Sequence, residues 1–259
     1  MPARIPVLLL TFACLCAAVR AQADTDPRAA EILQKAIAQL GGERYLNVKT
    51  QIGRGQFSIF TGGVVASFQT FYDVFVFPDR ERTEFKSGKV RFVQVNVGDT
   101  GWVYDGEQDR IKDQTAEQIA AFRRSIRVSL DNLLRRGWAG KARLEYVGRR
   151  PASLGRRNDV LRLVYADGFA VEFEFDESGL PQKAVYIRKN GDEEIREEDR
   201  YAQWVDIGGI KTPFIIDRIS GGLQSSRINY ESVEFDKSVP DSIFNKPAGV
   251  KDLKKSLRL

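Results

Sequence analysis

The segment "FQTFYDVFVFPDRERTEF", residues 68–85, decides how the rest of the chain is read. At the two-residue period of a strand, one face carries Phe68, Thr70, Tyr72, Val74 and Val76, and the other carries Gln69, Phe71, Asp73, Phe75 and Phe77. Both faces are apolar. A strand that covers one side of a core alternates apolar with polar residues, so the second face requires another layer of protein or a ligand.

The same strand period extends outward from Val48 to about Lys112, broken by the turn signals "TGG", "FPD", "KSG", "GDTG" and "DGEQ". It resumes from Arg143 to Phe235. There "VEFEFDESGLP" turns Val171, Phe173 and Phe175 inward and Glu172, Glu174 and Asp176 outward. Short connections imply antiparallel neighbours, and a sheet of about ten such strands must curl. Two amphipathic helices accompany it. In "DPRAAEILQKAIAQLGG" Asp26 caps, Pro27 suits the first helical position, Ile32, Leu33, Ala36, Ile37 and Leu40 form a stripe, and Gly41 and Gly42 end it. A second helix is expected from Thr115 to Arg136, with Thr115 and Gln118 as a capping box, an apolar seam at Ile119, Phe122, Ile126, Leu130, Leu133 and Leu134, and Gly137 as the stop. Its other side holds Arg123, Arg124, Arg127, Arg135 and Arg136. That side reads as a solvated face, or else as a surface for an anionic partner or lipid headgroup.

Residues 1–23 read as an export leader: Arg4, the apolar run "IPVLLLTFACLCAAV", and "AQA" at Ala21–Ala23 as the cleavage site. The expected mature unit is residues 24–259, a single domain with a short basic tail, "KDLKKSLRL", exported from the cytoplasm and soluble. The whole chain carries 40 basic and 35 acidic residues, too mild an excess to point to nucleic acid.

Residue types that are missing narrow the chemistry. There is no histidine, and both cysteines, Cys14 and Cys16, belong to the leader. Histidine acid–base catalysis, Ser-His or Cys-His nucleophiles and nitrogen–sulfur zinc sites are thereby excluded from the mature chain. No G-x-S-x-G, G-x-G-x-x-G or Walker loop occurs. The run "GDEEIREED" is interleaved with Arg196 and followed by Arg200, and reads as solvated charge rather than a metal site. Asp105, Asp109 and Asp113 lack the spacing of a calcium loop. A non-enzymatic binding role without a cofactor is the reading left. A curled sheet has a concave face that two helices cover incompletely, leaving an apolar hollow. Its expected lining is Phe57, Phe71, Phe75, Phe77, Trp102 and Tyr104 from the sheet, with Phe122, Ile126 and Leu130 from the second helix.

The phrases "AIAQLGGERYLNVKTQIGRG", "GDTGWVYDG", "FDESGLPQKAVY", "VDIGGIKTPFII" and "VPDSIFNKP" occur in this order across the mature chain. Together they resemble the periplasmic outer-membrane lipoprotein carrier (LolA/LolB-like) superfamily. The resemblance implies an α+β fold, an unclosed half β-barrel whose concave face is lidded by helices and holds the acyl chain of a lipid or lipoprotein. It places Trp102 and Tyr104 on a central strand and the helix Thr115–Arg136 in the lid position. It also allows a second reading, an envelope regulatory module that binds a membrane protein. One departure stands out: carriers of that superfamily have an arginine directly before a strand-end proline that helps hold the lid shut, whereas here Phe77 precedes Pro78.

Cleavage after Ala23 without lipidation is directly testable. The intact mass of the exported protein should match a chain beginning at Asp24; a mass that retains the leader or carries added diacylglycerol refutes it.

Overall fold

Two meanders build the sheet. The first comprises β1 (Thr50–Thr61), β2 (Val64–Val76), β3 (Arg80–Ser87), β4 (Val90–Val97), β5 (Thr100–Asp105) and β6 (Arg110–Asp113). The second comprises β7 (Ala142–Pro151), β8 (Arg157–Tyr165), β9 (Ala170–Phe175), β10 (Pro181–Asn190), β11 (Glu193–Ile207), β12 (Ile210–Ser220) and β13 (Leu223–Phe235). The computed structural model describes residues 25–258, so the expected leader, its cleavage site and both cysteines lie outside the described residues. All thirteen strands form one antiparallel sheet in the order β6-β5-β4-β3-β2-β1-β13-β12-β11-β10-β9-β8-β7. The expectation of about ten strands falls short because β6, β7 and β12 are short or of mixed pattern in the sequence.

The two meanders meet only where β1 pairs with β13, Gln51 opposite Phe235 through Ile59 opposite Ser226. That junction leaves β6 and β7 as the two edges of an unclosed sheet. The chain between them carries α3 (Ala116–Val128) and α4 (Leu130–Leu134), and it must therefore travel from one edge to the other. The capping box at Thr115 and Gln118 forms as expected. A single helix to Arg136 does not. At Ser129 the backbone turns extended (φ −71°, ψ 149°), and the Ser129 hydroxyl accepts from Asn132 N at 3.1 Å. A serine that caps a new first turn competes with continuing the old helix.

Upstream of the sheet, α1 (Pro27–Leu40) is capped by Asp26 Oδ1, which accepts from Arg28 N and Ala29 N. Its stripe of Ala29, Ile32, Leu33, Ala36, Ile37 and Leu40 is buried against Leu144, Leu161, Leu163, Val171, Phe173 and Phe175 of β7, β8 and β9. A short helix that the sequence pattern did not reveal, α2 (Glu43–Asn47), follows. The one-sided reading of β9 needs amendment. Its inward residues are fully buried, but Glu174 on the other face is covered as well, accepting from Asn158 Nδ2 at 3.1 Å and lying 3.2 Å from Lys183 Nζ.

The outer face of the first meander answers half of the question raised by residues 68–77. Tyr72, Val74, Val93, Val95, Trp102 and Tyr104 form one buried cluster, and the C-terminal segment closes over it with Phe244 and Leu253. The supposed basic tail is therefore a structural layer: a 3₁₀ turn (Asp241–Phe244) and α5 (Val250–Ser256). Hydrogen bonds fix it in place. Trp102 Nε1 donates to the Phe244 carbonyl at 2.9 Å, Arg82 Nη1 donates to the Ile243 carbonyl at 2.8 Å, and Arg258 N donates to Glu84 Oε2 at 2.7 Å. The Arg82–Glu84 ion pair beneath is nearly inaccessible to solvent, 2.7 Å apart. Removing its cover exposes paired charge and apolar surface together.

Leu253 is wholly buried. Leu253→Ala should lower the free energy of unfolding by about 2–5 kcal/mol, read from urea denaturation. An unchanged midpoint would mean that the C-terminal segment is an ornament and not a layer.

Candidate functional site: an apolar hollow beneath the crossing helices

On the opposite face, the strand register lines up a row across the sheet: Phe235 of β13, Gln51 of β1, Phe75 of β2 and Glu81 of β3 are successive neighbours. All four border a cavity of about 360 Å³ between the sheet and the crossing helices. The helices contribute Phe122, Ile126 and Leu130, and Phe77 closes one end. The second meander supplies Tyr201, Trp204, Ile216, Ile228 and Tyr230, and α1 and α2 add Leu40 and Tyr45.

Four of the expected lining residues are elsewhere. Trp102 and Tyr104 belong to the outer cluster, because their alternation on β5 sets them on the same face as Val74 and Tyr72. They also lie on the strand second from an edge, not on a central one. Phe71 is buried against Tyr230 (ring centroids 5.3 Å apart), and Phe57 packs on Phe85 at 5.5 Å, so both make core beside the hollow without bordering it. Phe75, Phe77, Phe122, Ile126 and Leu130 do border it. Tyr201 and Trp204 escaped the sequence reading for a local reason. A regular strand would send residues three apart to opposite faces, but Gln203 is left-handed (φ 51°) between them. The twist brings both rings to the hollow, 6.3 Å apart.

The crossing helices are pinned at both sides. Arg123 on α3 pairs with Asp99 in the β4–β5 turn, and Arg127 makes a two-pronged pair with Asp167 in the β8–β9 turn at 2.8 and 2.9 Å. The Arg127 guanidinium also lies over the Tyr165 and Phe169 rings, 3.9 and 4.5 Å from their centroids, and it holds the Asp167 carboxyl down at about 2. Arg135 reaches inward. It donates to the carbonyls of Leu46 and Val48 at 2.8 and 2.9 Å and to Asp131 at 2.8 Å, while stacking on Phe77 at 4.2 Å. The helix side read as solvated thus has at least three of its five arginines committed to protein partners, and Phe77 serves as the platform for one of them.

Carboxyl groups make one part of the wall polar. Glu81 accepts from Thr83 Oγ1 at 3.1 Å, and burial raises its proton affinity. Asp199, 3.8 Å from Arg218, is likewise raised by burial. Behind them Asp73 accepts from the Tyr230 hydroxyl at 3.1 Å, in space left by Gly53, whose missing Cβ would stand 2.4 Å from the Tyr230 ring. Burial, reinforced by Glu81, raises Asp73 to about 7. Among the described residues no group of three or more acidic, His or Cys side chains converges as a metal site. No helix among the described residues is long and apolar enough to cross a membrane.

With this geometry in view, the solved structures are informative. A structure described as an outer membrane lipoprotein-sorting protein domain from Vibrio parahaemolyticus superposes with a TM-score of 0.58 at 14% identity, over 88% of this chain and 99% of that one. A LolA superfamily protein from Nitrosomonas europaea superposes with a TM-score of 0.56 at 15% identity, over 84% and 97%. The chain has a LolA-like fold. At these identities the likeness is one of fold alone. No protein-family model matches the sequence, and no curated protein does. Within the LolA-like fold the hollow occupies the concave side of the unclosed barrel, beneath the helices that link its two edges.

The raised carboxyl makes a pH prediction. A folded-state value near 7 against an ordinary 3.8 means that the native protein binds the Asp73 proton more tightly than the unfolded chain does. This stabilising contribution is complete below about pH 4 and is lost as pH rises through about 7, an effect of a few kcal/mol. Asp73→Asn should remove that slope and raise the melting temperature at pH 8 more than at pH 5. Equal shifts at both values would refute it.

Proposed function

We propose that the protein is a periplasmic carrier or binding protein for the acyl chain of a lipid or lipoprotein, held in the hollow beneath α3 and α4. The observation that carries this reading is a cavity of about 360 Å³ bounded by Phe75, Phe77, Phe122, Ile126, Leu130 and Trp204. Its size falls within the roughly 300–1,000 Å³ of small-ligand sites. Such a wall suits a ligand recognised by burial: at about 0.8 kcal/mol per methylene, a sixteen-carbon chain offers on the order of 12 kcal/mol of transfer free energy. The LolA-like fold supports the reading, since one structural relative is described as a lipoprotein-sorting domain. The export leader expected from the sequence of residues 1–23 supports the compartment.

Crossing helices that cover such a hollow must yield for a chain to enter. Exposed ion pairs of the Arg123–Asp99 kind add only about 0–1 kcal/mol to closure, beside the Arg135 hydrogen bonds and the apolar contact of the seam. A ligand that replaces this contact moves the helices at little net cost.

Solvent extraction of purified protein followed by lipid mass spectrometry should recover long-chain lipid. Phe75→Asp should empty the hollow while leaving the fold intact, because Phe75 is half-buried at the cavity wall. Phe71→Asp, made in the buried core beside it, should cost several kcal/mol and unfold the protein. Lipid retained by a folded Phe75→Asp variant would rule out this hollow as the site.

A further inference from the structure

One end of the β1–β2 hairpin outruns its neighbour. β2 pairs with β1 from Val64 opposite Thr61 to Val76 opposite Thr50, with one bulge that leaves Ala66 unpaired between Val65 and Ser67, but it pairs with β3 only from Thr70 onward. Residues Val64–Gln69 therefore present a row of backbone groups with no ladder partner among the described residues. Six residues at about 3.4 Å each make an open edge of about 20 Å. The segment reads "VVASFQ" and has neither charge nor proline, so the single bulge at Ala66 is the one protective device on this edge. Val64 is 69% exposed, Val65 55% and Phe68 68%. Isolated apolar residues on a surface need no explanation, but a cluster of large ones along an unpaired edge does.

The place beside this edge has a shape. Val65, Ala66, Ser67, Phe68 and Thr70 form one side of a notch, and Lys86 and Ser87 at the end of β3 form its floor with Gly88 of the β3–β4 turn. A strand laid there would continue the line of β3. Neither Lys86 at the notch nor Lys89, next to Gly88 in the chain, takes part in an ion pair among the described residues.

We propose that this edge is a docking site for an extended peptide segment of a partner protein, which adds as a further strand along Val64–Gln69. Its alternate apolar side chains lie against Val65 and Phe68, and an acidic residue meets Lys86 and Lys89. Strand addition of this kind draws its affinity from main-chain hydrogen bonds and its specificity from the side-chain notches. A lipid surface is the weaker occupant, because hydrocarbon offers nothing to the unpaired N–H and C=O groups. A second copy of the chain is weaker too. Antiparallel self-pairing would drive the Gly62–Gly63 turn of each copy into the β3–β4 turn of the other, and a six-residue ribbon buries far less than the roughly 1,200 Å² of a stable dimer. The site is on the rim of the sheet, not in the hollow, and does not depend on the hollow being filled.

The test uses the mature protein, residues 24–259, to select from a phage-displayed library of random linear peptides, followed by anisotropy titration of the selected peptides labelled with fluorescein. Enriched peptides should alternate β-branched or aromatic residues and carry Asp or Glu, and their binding should slow hydrogen exchange at the amides of residues 64–69. Proline at Phe68 or at Gln69, beyond the bulge at Ala66 where pairing with β1 is regular, removes one donor from each side of the strand in turn. At least one of the two should weaken binding about tenfold or more, the equivalent of a lost main-chain hydrogen bond, without moving the melting temperature. Lys86→Glu combined with Lys89→Glu should abolish the preference for acidic peptides. The proposal is overturned if no peptide is enriched, or if both proline variants and the charge reversal leave binding unchanged. It is equally overturned if the edge amides are protected only by phosphatidylglycerol vesicles, or only by dimerisation seen in sedimentation.

Discussion

The pairing of β1 with β13 is the constraint on which the other features rest. It joins two meanders at their first and last strands, and so puts the beginning and the end of the sheet in its middle. Once those strands are joined, β6 and β7 can only be outer edges, and the chain linking them has to reach from one to the other. The crossing runs over the concave face, where α3 and α4 form the cover of the hollow. Its sequence needs only an apolar seam and enough length, which α3 and α4 provide.

The two faces of β2 show how one strand serves two layers. Tyr72 and Val74 are sealed by the C-terminal segment through Phe244 and Leu253, while Phe75 faces the hollow and Phe71 packs on Tyr230. The polar residues near both layers are satisfied in different ways. On the outer side the Arg82–Glu84 pair has a full set of partners and is nearly dry. On the inner side Asp73, Glu81 and Asp199 rely on hydroxyls and a single distant arginine, and burial raises the proton affinity of all three. The inner wall therefore holds protons more tightly than ordinary carboxyls do. It also adjoins the only described charge that stacks on a cavity-end aromatic, Arg135 over Phe77.

Local chemistry was readable wherever a residue acts on its own neighbours. Asp26, the Thr115–Gln118 box and the stripe of α1 needed no knowledge of the fold, since capping and helical period operate within a few residues. The two-faced pattern of residues 68–77 correctly demanded two covers. It did not identify them: the helix containing Leu253 is separated from β2 by most of the chain and reads on its own as a charged tail. Ser129 carried a capping signal, but it sat inside an apolar seam that continued through it.

What the sequence determined by itself was the kind of structure: antiparallel strands, two amphipathic coverings and more apolar strand surface than one core requires, all encoded in short-range periodicity. Tertiary structure alone decided which surfaces meet. Alternation separates Trp102 from Phe75 but cannot say which side is inner, because that depends on where the C-terminal segment packs and where the linker from β6 to β7 crosses. Tyr201 and Trp204 share a face only because Gln203 turns left-handed within a thirteen-strand register. Such choices are made by contacts between residues far apart in the chain, and no local period records them.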